Sequence, residues 1–424
     1  MFSSVISAQT EIISFENVNV IPMNTETVLF NKRVLICNGR IIKIEPASQK
    51  PTDTIEIKIQ ASGKYLIPGL VETHYHLQNS IENEFKLLIA NGITSARNMA
   101  EYKGQDHMKI KELARNNTIL SPYYYTTGPY LKRNHLSSIN AVEKVVNTHK
   151  EKGYDYLKIA DNLPKEIYLK LLELAQKENI PIVGHGQREL PLEFSLRIKS
   201  IAHVEEFMNI FSKEERTSHN YLKRAAKEIK TSGIYVSPTL GTFEMISRYA
   251  DKKKATILNK GESIKYLPKQ YSDYWRSNKI NYKTQSRFTS KEGLKRLEKQ
   301  LKWQKEFTLM LHKQGVPLMA GSDTYGLFVP GFSLHRELEL INSAGLSAYE
   351  TLKTVTVNPA RYLNTIAESG TLNEGKLADM VLLDKNPLTN ISHTRTILGV
   401  MIKGKWFDRE ALDKILLEVE NSHK

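Results

Sequence analysis

Residues 68–77 read PGLVETHYHL, a short apolar run that leads into two histidines two positions apart. In a β-strand, residues i and i+2 point to the same side, so His74 and His76 share one face while Tyr75 points to the other. Such a pair fits two metal ligands at the end of a strand, and it equally fits polar residues on a solvated edge. The rest of the chain decides between these readings, because a metal site needs further ligands that the fold can bring to the same place.

The middle of the chain, residues 67–365, alternates short apolar strands with stretches whose 3.6-residue apolar spacing indicates helices. The candidate strands are GLVETHYH, ITSARNM, YYYTTG, YDYLKIA, IPIVGHG, SIAHVE, IYVSPTL and VPLMAGSD. Eight strands alternating with helices over about 300 residues predict an α/β fold, a parallel (β/α)8 TIM barrel. An open doubly wound sheet is the alternative, but the sequence lacks the Gly-rich phosphate-binding fingerprint that such a sheet carries after its first strand.

The two ends of the chain differ from the middle. Residues 11–66 and 366–424 contain short apolar runs separated by turn signals, among them Asn38-Gly39 between RVLIC and RIIKIE, which is a strong hairpin signal. Because each end is too small to form its own core, we expect the two to pack together as one small β-sandwich domain beside the barrel domain.

One charged segment, residues 249–306, is longer than a normal connection between two strands of such a fold. We predict that it is a helical insertion between the seventh and eighth strands. It either covers the functional face as a lid or forms an elaborated surface layer.

Composition limits the classes of function. The single cysteine, Cys37, excludes an intrachain disulfide and a cysteine-based zinc cluster, so any metal ligand must be His, Asp, Glu or a modified Lys. The net charge of +14 raises nucleic-acid binding as the non-enzyme alternative. Lys and Arg are spread along the chain without a zinc-finger, RRM or KH signature, so we expect no nucleic-acid partner but a basic surface compatible with a substrate carboxylate. No apolar run approaches the roughly 18 residues of a membrane span, so we expect no membrane association.

Residues 1–10 have two interpretations. MFSSVISA is short, apolar and uncharged and precedes Gln9, which is typical of the end of a secretory signal, although a basic n-region is missing. A signal-peptide remnant would indicate an exported or periplasmic protein. A disordered terminus on a cytoplasmic protein is the alternative.

Polar groups recur at the C-terminal ends of the predicted strands, where the catalytic groups of barrel enzymes lie. Taken singly, each has a structural explanation, such as a hydrogen-bonded histidine or a lysine whose stem covers apolar surface. Together at one end of successive strands they indicate a metal site. They are His74, His76, Lys158, His185, His203 and Asp323.

These segments resemble the metal-dependent amidohydrolase superfamily, in particular its imidazolonepropionase-like and prolidase-like (Xaa-Pro dipeptidase-type) hydrolases, over nearly the whole chain. PGLVETHYHL resembles the first-strand segment with Glu72 at a usual Asp, and GITSARNM resembles the second with Asn98 at a usual Asp. YDYLKIA, IVGHG, SIAHVE and AGSD resemble later strand ends. LHRELELINSAGLSAYETLKTVTVNPARYL and GTLNEGKLADMVLLDKNPL resemble the closing helices and the return to the terminal strands.

The resemblance implies two divalent metal ions, zinc by default, with manganese or cobalt also compatible. A hydroxide bridging the ions would attack the scissile carbonyl, and Asp323 would carry its proton to the leaving group. The implied ligands are His74, His76 and Asp323 for the first ion, His185 and His203 for the second, and a carbamate on Lys158 as a bridge.

The resulting prediction is a binuclear hydrolase that cleaves a C–N amide bond in a dipeptide or an N-acyl amino acid. Hydrolysis of a lactone, cyclic amide, carbamate or phosphotriester is the alternative within the superfamily, and a mononuclear enzyme or an inactive scaffold are further ones. Arg188 and Tyr325 are candidate substrate-binding residues, or else ordinary loop residues. We expect residues 123–125 to line the pocket or to be buried, and His335 to have a structural role. A homo-oligomer is compatible with the family.

Overall fold

The computed structural model describes residues 11–50 and 55–423. Residues 1–10, where the sequence suggests a signal remnant or a disordered terminus, lie outside this range, so that expectation stays a prediction. Within the described residues, no helix combines the length and the apolar character needed to cross a membrane.

Fifteen strands and eighteen α-helices make up the described part of the chain. The strands are β1 (Ile12–Val20), β2 (Leu29–Cys37), β3 (Arg40–Pro46), β4 (Ile57–Gln60), β5 (Tyr65–Pro68), β6 (Leu70–Tyr75), β7 (Ile93–Asn98), β8 (Tyr123–Thr126), β9 (Leu157–Ile159), β10 (Ile182–Gly184), β11 (Ser200–Ala202), β12 (Tyr235–Ser237), β13 (Met380–Leu383), β14 (Ile397–Ile402) and β15 (Lys405–Asp408). The helices are α1 (Ile81–Ala90), α2 (His107–Arg115), α3 (Ile139–Lys152), α4 (Lys165–Lys177), α5 (Leu192–Ser195), α6 (Glu205–Ile210), α7 (Lys213–Thr217), α8 (His219–Ser232), α9 (Leu240–Ala250), α10 (Lys252–Leu258), α11 (Lys269–Arg276), α12 (Asn281–Thr284), α13 (Ser286–Thr289), α14 (Lys291–Lys313), α15 (Phe332–Ser343), α16 (Ala348–Lys353), α17 (Val357–Tyr362) and α18 (Arg409–Asn421).

Strands from both ends of the chain form one mixed sheet in the order β15-β14-β13-β5-β1-β2-β3, with β4 paired to β1. β2 and β3 form a hairpin in which Asn38 and Gly39 have the positive φ angles, 50° and 71°, of a tight two-residue turn. The sheet buries its own apolar cluster, which includes Phe15, Leu66 and Met380. The terminal strands expected as a sandwich are thus hydrogen-bonded into a single sheet, and the division of the chain into two domains stays a prediction.

The middle of the chain supplies two parallel sheets. β6, β7 and β8 form one, and β9 to β12 form the other in the order β12-β11-β10-β9. Each of these seven strands falls within a predicted segment, and the helices between them pack apolar side chains against the strands in one large core. The fold is therefore α/β, with parallel strands alternating with helices.

The eighth predicted strand, VPLMAGSD, is shorter than expected. Among the described residues, its β pairing is an isolated parallel bridge between Leu318 and Val236 of β12. Two features end the pairing: the Ser322 N–H donates to the carboxylate of Glu72, and Asp323 has a left-handed φ of 48°. A regular strand tolerates neither, because the ladder needs that N–H and an extended backbone.

The same segment lies against β6 on its other side. The Asp323 N–H donates to the His74 carbonyl at 2.7 Å. Gly321 permits this approach, since a Cβ there would lie 2.4 Å from the Cβ of His74. A second isolated parallel bridge, between Leu131 and Ile159, joins the loop after β8 to β9. The strand that ends at the two histidines and the segment that carries Asp323 are therefore neighbours.

Residues 249–306 are mostly helical and contact the loop that follows Asp323. Trp275 of α11 packs with its ring centroid 5.7 Å from that of Tyr325 and 6.0 Å from that of Tyr249. The hydroxyl of Tyr249 in turn accepts the Leu327 N–H at 3.2 Å. The segment thus supports a loop beside the site, whether or not it moves as a lid.

Candidate metal centre

Three of the predicted ligands converge at the end of β6. His74 Nε2 lies 3.2 Å from His76 Nε2, and these two atoms lie 3.3 and 3.1 Å from Asp323 Oδ1. A tetrahedral zinc ion with donors at about 2.1 Å holds those donors about 3.4 Å apart. Two imidazoles and a carboxylate in such a triangle, with all three side chains largely buried, therefore fit a divalent metal ion.

The other two histidines continue the group. His203, which follows β11, has Nδ1 3.9 Å from Asp323 Oδ2, and its ring centroid lies 4.8 Å from that of His74. One ligand atom from each of His74, His203 and Asp323 lies within 4.8 Å of the others. His185, which follows β10, has its ring 5.0 Å from that of His203. The four imidazoles thus form one continuous series of ring contacts.

The two pairs of histidines are oriented differently. His185 Nδ1 lies 3.1 Å from Glu206 Oε1, and His203 Nδ1 lies 2.7 Å from Thr239 Oγ1. Such hydrogen bonds fix the ring and leave the opposite nitrogen available to a metal. The Nδ1 atoms of His74 and His76 are buried and have no hydrogen-bond partner within the described residues.

The charge states of these groups suit metal ligands. Burial lowers the pKa of His74 to about 3 and also lowers the pKa values of His76 and His203, so these imidazoles are neutral at pH 7. Burial alone would raise the pKa of Asp323, but the positive charge that His74 carries when it is protonated and the hydrogen bonds with His74 and His76 hold that pKa well below its usual range. Neutral imidazoles and an ionised carboxylate are the forms that bind a cation.

The backbone at Asp323 is strained. Its φ of 48° and the φ of 70° at His203 lie in the left-handed region, which costs a non-glycine residue about 1 kcal/mol and recurs at functional sites. Thr242 Oγ1 donates to Asp323 Oδ2 at 3.2 Å, which leaves Oδ1 facing the histidine pair. Both ends of the carboxylate are therefore positioned by neighbours.

Lys158 lies on β9 and is buried. Burial, reinforced by the guanidinium of Arg97, lowers the pKa of Lys158 to about 7 despite the opposing carboxylates of Asp323 and Glu206. Gly184 leaves room for the lysine stem, since a Cβ there would lie 2.9 Å from Lys158 Cδ. A large fraction of the Lys158 side chain is therefore a neutral amine at pH 7.

The two departures from the family pattern have structural roles. Glu72 accepts hydrogen bonds from the backbone N–H groups of His74 (3.0 Å) and Ser322 (2.9 Å), and from Ser322 Oγ (2.6 Å). Burial raises the pKa of Glu72 to about 7. Asn98 accepts from the Leu77 N–H at 3.3 Å. Both side chains therefore hold the backbone around the histidine pair in place.

The two predicted substrate contacts, Arg188 and Tyr325, each have partners within the protein. Arg188 forms a two-bond ion pair with Glu206, from Nε at 2.9 Å and from Nη2 at 2.6 Å, so much of its hydrogen-bonding fork is occupied. Tyr325 packs on Trp275, and burial raises the pKa of Tyr325 well above its usual value, so its hydroxyl stays protonated.

The other candidates lie apart from the metal ligands. Tyr124 bonds to His107 Nδ1 at 2.6 Å, Tyr123 packs under the ammonium of Lys403, and Tyr125 joins an apolar cluster inside the strands. His335 bonds to Thr394 Oγ1 at 2.9 Å and to the Asn91 carbonyl at 3.2 Å, in agreement with its predicted structural role.

Sequence reasoning missed Glu206, Thr239 and Thr242, which support the ligands, and two tyrosines beside His76. The Tyr102 ring stacks on His76 at 5.7 Å, and the Tyr130 hydroxyl lies 3.5 Å from His76 Nε2. Glu206 could have been found three residues after His203 in HVEE. The others lie on loops or in a helix turn without a pattern that points to the site.

Comparison with known families gives one match. A profile of the amidohydrolase family matches residues 65–407, which is most of the chain. No curated protein matches the sequence.

Solved structures with this fold include several hydrolases. A bottromycin amidohydrolase superposes with a TM-score of 0.75 at 19% identity, over 98% of this chain and 90% of that one. A Xaa-Pro dipeptidase with bound methionine superposes with a TM-score of 0.70 at 15% identity, over 94% of this chain and 100% of that one. A putative prolidase from Bifidobacterium longum superposes with a TM-score of 0.68 at 19% identity, over 96% of this chain and 99% of that one. At these identities the likeness establishes a shared fold.

Proposed function

The chain belongs to the amidohydrolase family and is an enzyme that acts on C–N bonds; we propose that it is a binuclear metal-dependent hydrolase of a dipeptide or an N-acyl amino acid. The observation that carries this proposal is the triangle formed by His74, His76 and Asp323, with sides of 3.1 to 3.3 Å. Neutral imidazoles and an ionised carboxylate at that spacing fit a divalent cation.

The fold proposal is a closed (β/α)8 barrel. Seven parallel strands lie in two sheets, and residues 317–323 would complete the ring as a short eighth strand. Support comes from the bridge between Leu318 and Val236 on one side and the Asp323-to-His74 hydrogen bond on the other. Closure would place all the predicted ligands around one end of the barrel axis.

The ligands are proposed as two sets, with zinc as the default ion. His74, His76 and Asp323 would hold one ion, and His185 and His203 the other, with a carbamate on Lys158 shared between them. A bound pair of divalent ions supplies a nucleophile at neutral pH, by lowering the pKa of a coordinated water, and polarises the substrate carbonyl. The buried amine of Lys158 supports the carbamate, because only a neutral amine reacts with CO₂.

The protein's own groups would then move the proton. Asp323 Oδ1 faces the histidine pair while Thr242 holds Oδ2, so Oδ1 can accept a proton and deliver it to the leaving nitrogen. The hydroxyl of Tyr130, beside His76, is a donor for a substrate oxygen, because burial keeps the pKa of Tyr130 far above neutral. Asp323 is therefore the proposed proton shuttle.

The substrate proposal is the least constrained. A small molecule with a free carboxylate suits the basic chain, and Tyr325 or Arg188 would contact it. The names of the structural neighbours, which include dipeptidase and prolidase, favour a peptide-like amide. Hydrolysis of a lactone, cyclic amide, carbamate or phosphotriester remains the second candidate. We propose no nucleic-acid or membrane partner, and a homo-oligomer is compatible with the family.

A substrate screen with metal analysis tests the proposal. Zinc-loaded protein would be assayed against dipeptides and N-acyl amino acids, with lactones and phosphotriesters as the competing set and Asp323→Asn as the matched inactive control. We expect turnover of an amide, stoichiometric metal, and loss of activity on chelation. Active protein without transition metal, and unaffected by chelators, would refute the proposal.

A further inference from the structure

Arg97, on β7, is a buried cation without an acidic partner. Its side chain is 1% exposed, its Nε donates to the Thr73 carbonyl at 2.8 Å, and its Nη1 donates to the Tyr362 hydroxyl at 2.6 Å. The guanidinium carbon lies 4.8 Å from the ring centroid of Tyr362 and 5.5 Å from that of Tyr156. Within the described residues its hydrogen bonds go to uncharged oxygen acceptors, and it forms no ion pair.

Arg33, which is also buried, differs from Arg97 because it has acidic partners. Arg33, in the terminal sheet, is 6% exposed and forms ion pairs with Glu16 at 3.0 Å and with Glu45 at 3.1 Å. A buried charge without a counter-ion is costly, and two aromatic rings offset only part of that cost. The interior at Arg97 therefore lacks a negative charge.

The side chain of Arg97 reaches the sheet that carries Lys158. Val183 of β10 pairs with Lys158 on one side and with Ser200 on the other, and Arg97 Nη1 lies 3.5 Å from Ser200 Oγ. The ammonium of Lys199 lies over the same two rings as Arg97, 4.5 Å from the centroid of Tyr362 and 5.5 Å from that of Tyr156. Carboxylation of Lys158 would supply the negative charge that Arg97 lacks.

We propose that Arg97 is the counter-cation of a Lys158 carbamate, a positioning residue that favours the carboxylated lysine. This role rests on the proposed function. In the reaction, the Lys158 Nζ lone pair forms an N–C bond with CO₂, one C–O π bond becomes the anionic oxygen, and one proton leaves to solvent. The net result places a negative charge on the side chain on which the Arg97 guanidinium already acts, in a medium of low polarity where attraction is strong.

The test follows carbamate formation directly. Zinc-loaded protein would be equilibrated with increasing ¹³C-bicarbonate, and the carbamate carbon observed by NMR, with Lys158→Ala to identify the signal. We expect R97M to need about ten- to a hundred-fold more bicarbonate for half-formation, and R97K to stay close to the wild type. Lys199→Met is the matched control, because it removes another cation from the same two rings. We expect a smaller shift, since the charge of Arg97 acts on Lys158 and that of Lys199 is not among those that do.

The outcomes separate the two proposals. An R97M titration that coincides with that of the wild type would overturn the role of Arg97 and leave the carbamate standing. A wild type without any carbamate signal would overturn the carbamate itself and with it this role. If R97M does not fold, R97Q, which keeps donor groups but not the charge, gives the same comparison.

Discussion

The two halves of the proposed metal centre are built in opposite ways. His74 and His76 are 0% and 5% exposed, and their Nε2 atoms contact one carboxylate oxygen, while their Nδ1 atoms form no hydrogen bond within the described part of the chain. His185 and His203 are 25% and 15% exposed, and each ring is held from behind by a hydrogen bond to a side chain. Packing therefore positions the first half, and removable hydrogen bonds position the second.

The largest effect is expected from Asp323→Asn, which breaks the first half. The amide cannot accept a proton, so kcat/KM should fall by about 10³-fold while the fold survives. Steady-state kinetics, circular dichroism and metal content check this. Near-normal activity would refute the proton-shuttle assignment, whatever metal is retained.

Lys158→Ala tests the connection between the halves. We expect loss of metal stoichiometry and a fall in activity of about 10²-fold or more, because the shared anionic ligand is gone. A short carboxylic acid such as propionate should restore part of both. The bridge assignment fails if the variant keeps two tightly bound ions without added acid.

Glu206→Gln should weaken only the second half. Glu206 lies behind His185 and pairs with Arg188, so its loss should lower metal affinity about 10- to 100-fold at one of two sites. Competition with a chromogenic chelator measures this. Glu205→Gln, next to it but not bonded to His185, is the matched control, and equal losses in both variants would contradict the specific role.

The smallest effect concerns the turn that supports the second half. Glu337 is buried and accepts the N–H groups of Leu240 and Gly241, next to Thr239, and burial raises its pKa to about 8. Because the folded state then binds the extra proton, the free energy of unfolding should fall as pH rises from about 4.5 to 8. In Glu337→Gln the free energy of unfolding should fall less steeply with pH, by at most about 1.4 kcal/mol per pH unit. Urea unfolding of chelator-treated protein at pH 5 and 8 would show it, and parallel slopes in both proteins would contradict it.

The sequence pointed to the candidate ligands of both halves but not to the side chains that hold the second half in place. Strand-end position pointed to all six candidates together, because i, i+2 alternation and parallel strands bring such residues to one end of the strands. The hydrogen bond between His203 and the Thr239 hydroxyl depends on a left-handed residue after β12. The pairing of Arg188 with Glu206 spans eighteen positions without a local pattern.

The fold was predicted well where periodicity was strong. All seven paired parallel strands fall in predicted segments, whereas the eighth is shortened because Glu72 takes the Ser322 N–H. A buried carboxylate that competes with the backbone leaves no trace in apolar spacing. The terminal strands were expected to meet, but their hydrogen-bonding into one sheet depends on register that the sequence does not reveal.

The pairing of β5 with β13 has a consequence for biosynthesis. Pro68 lies opposite Met380, and the Gly69 N–H donates to the Asp379 carbonyl at 2.9 Å, immediately before the strand that carries the histidine pair. The partner strand of β5, β13, is therefore translated some three hundred codons later. Contacts between such distant parts of a chain form slowly. A ribosome-bound fragment lacking the last part of the protein leaves this anchor unmade, so catalytic competence should be acquired only once the nascent polypeptide is nearly complete.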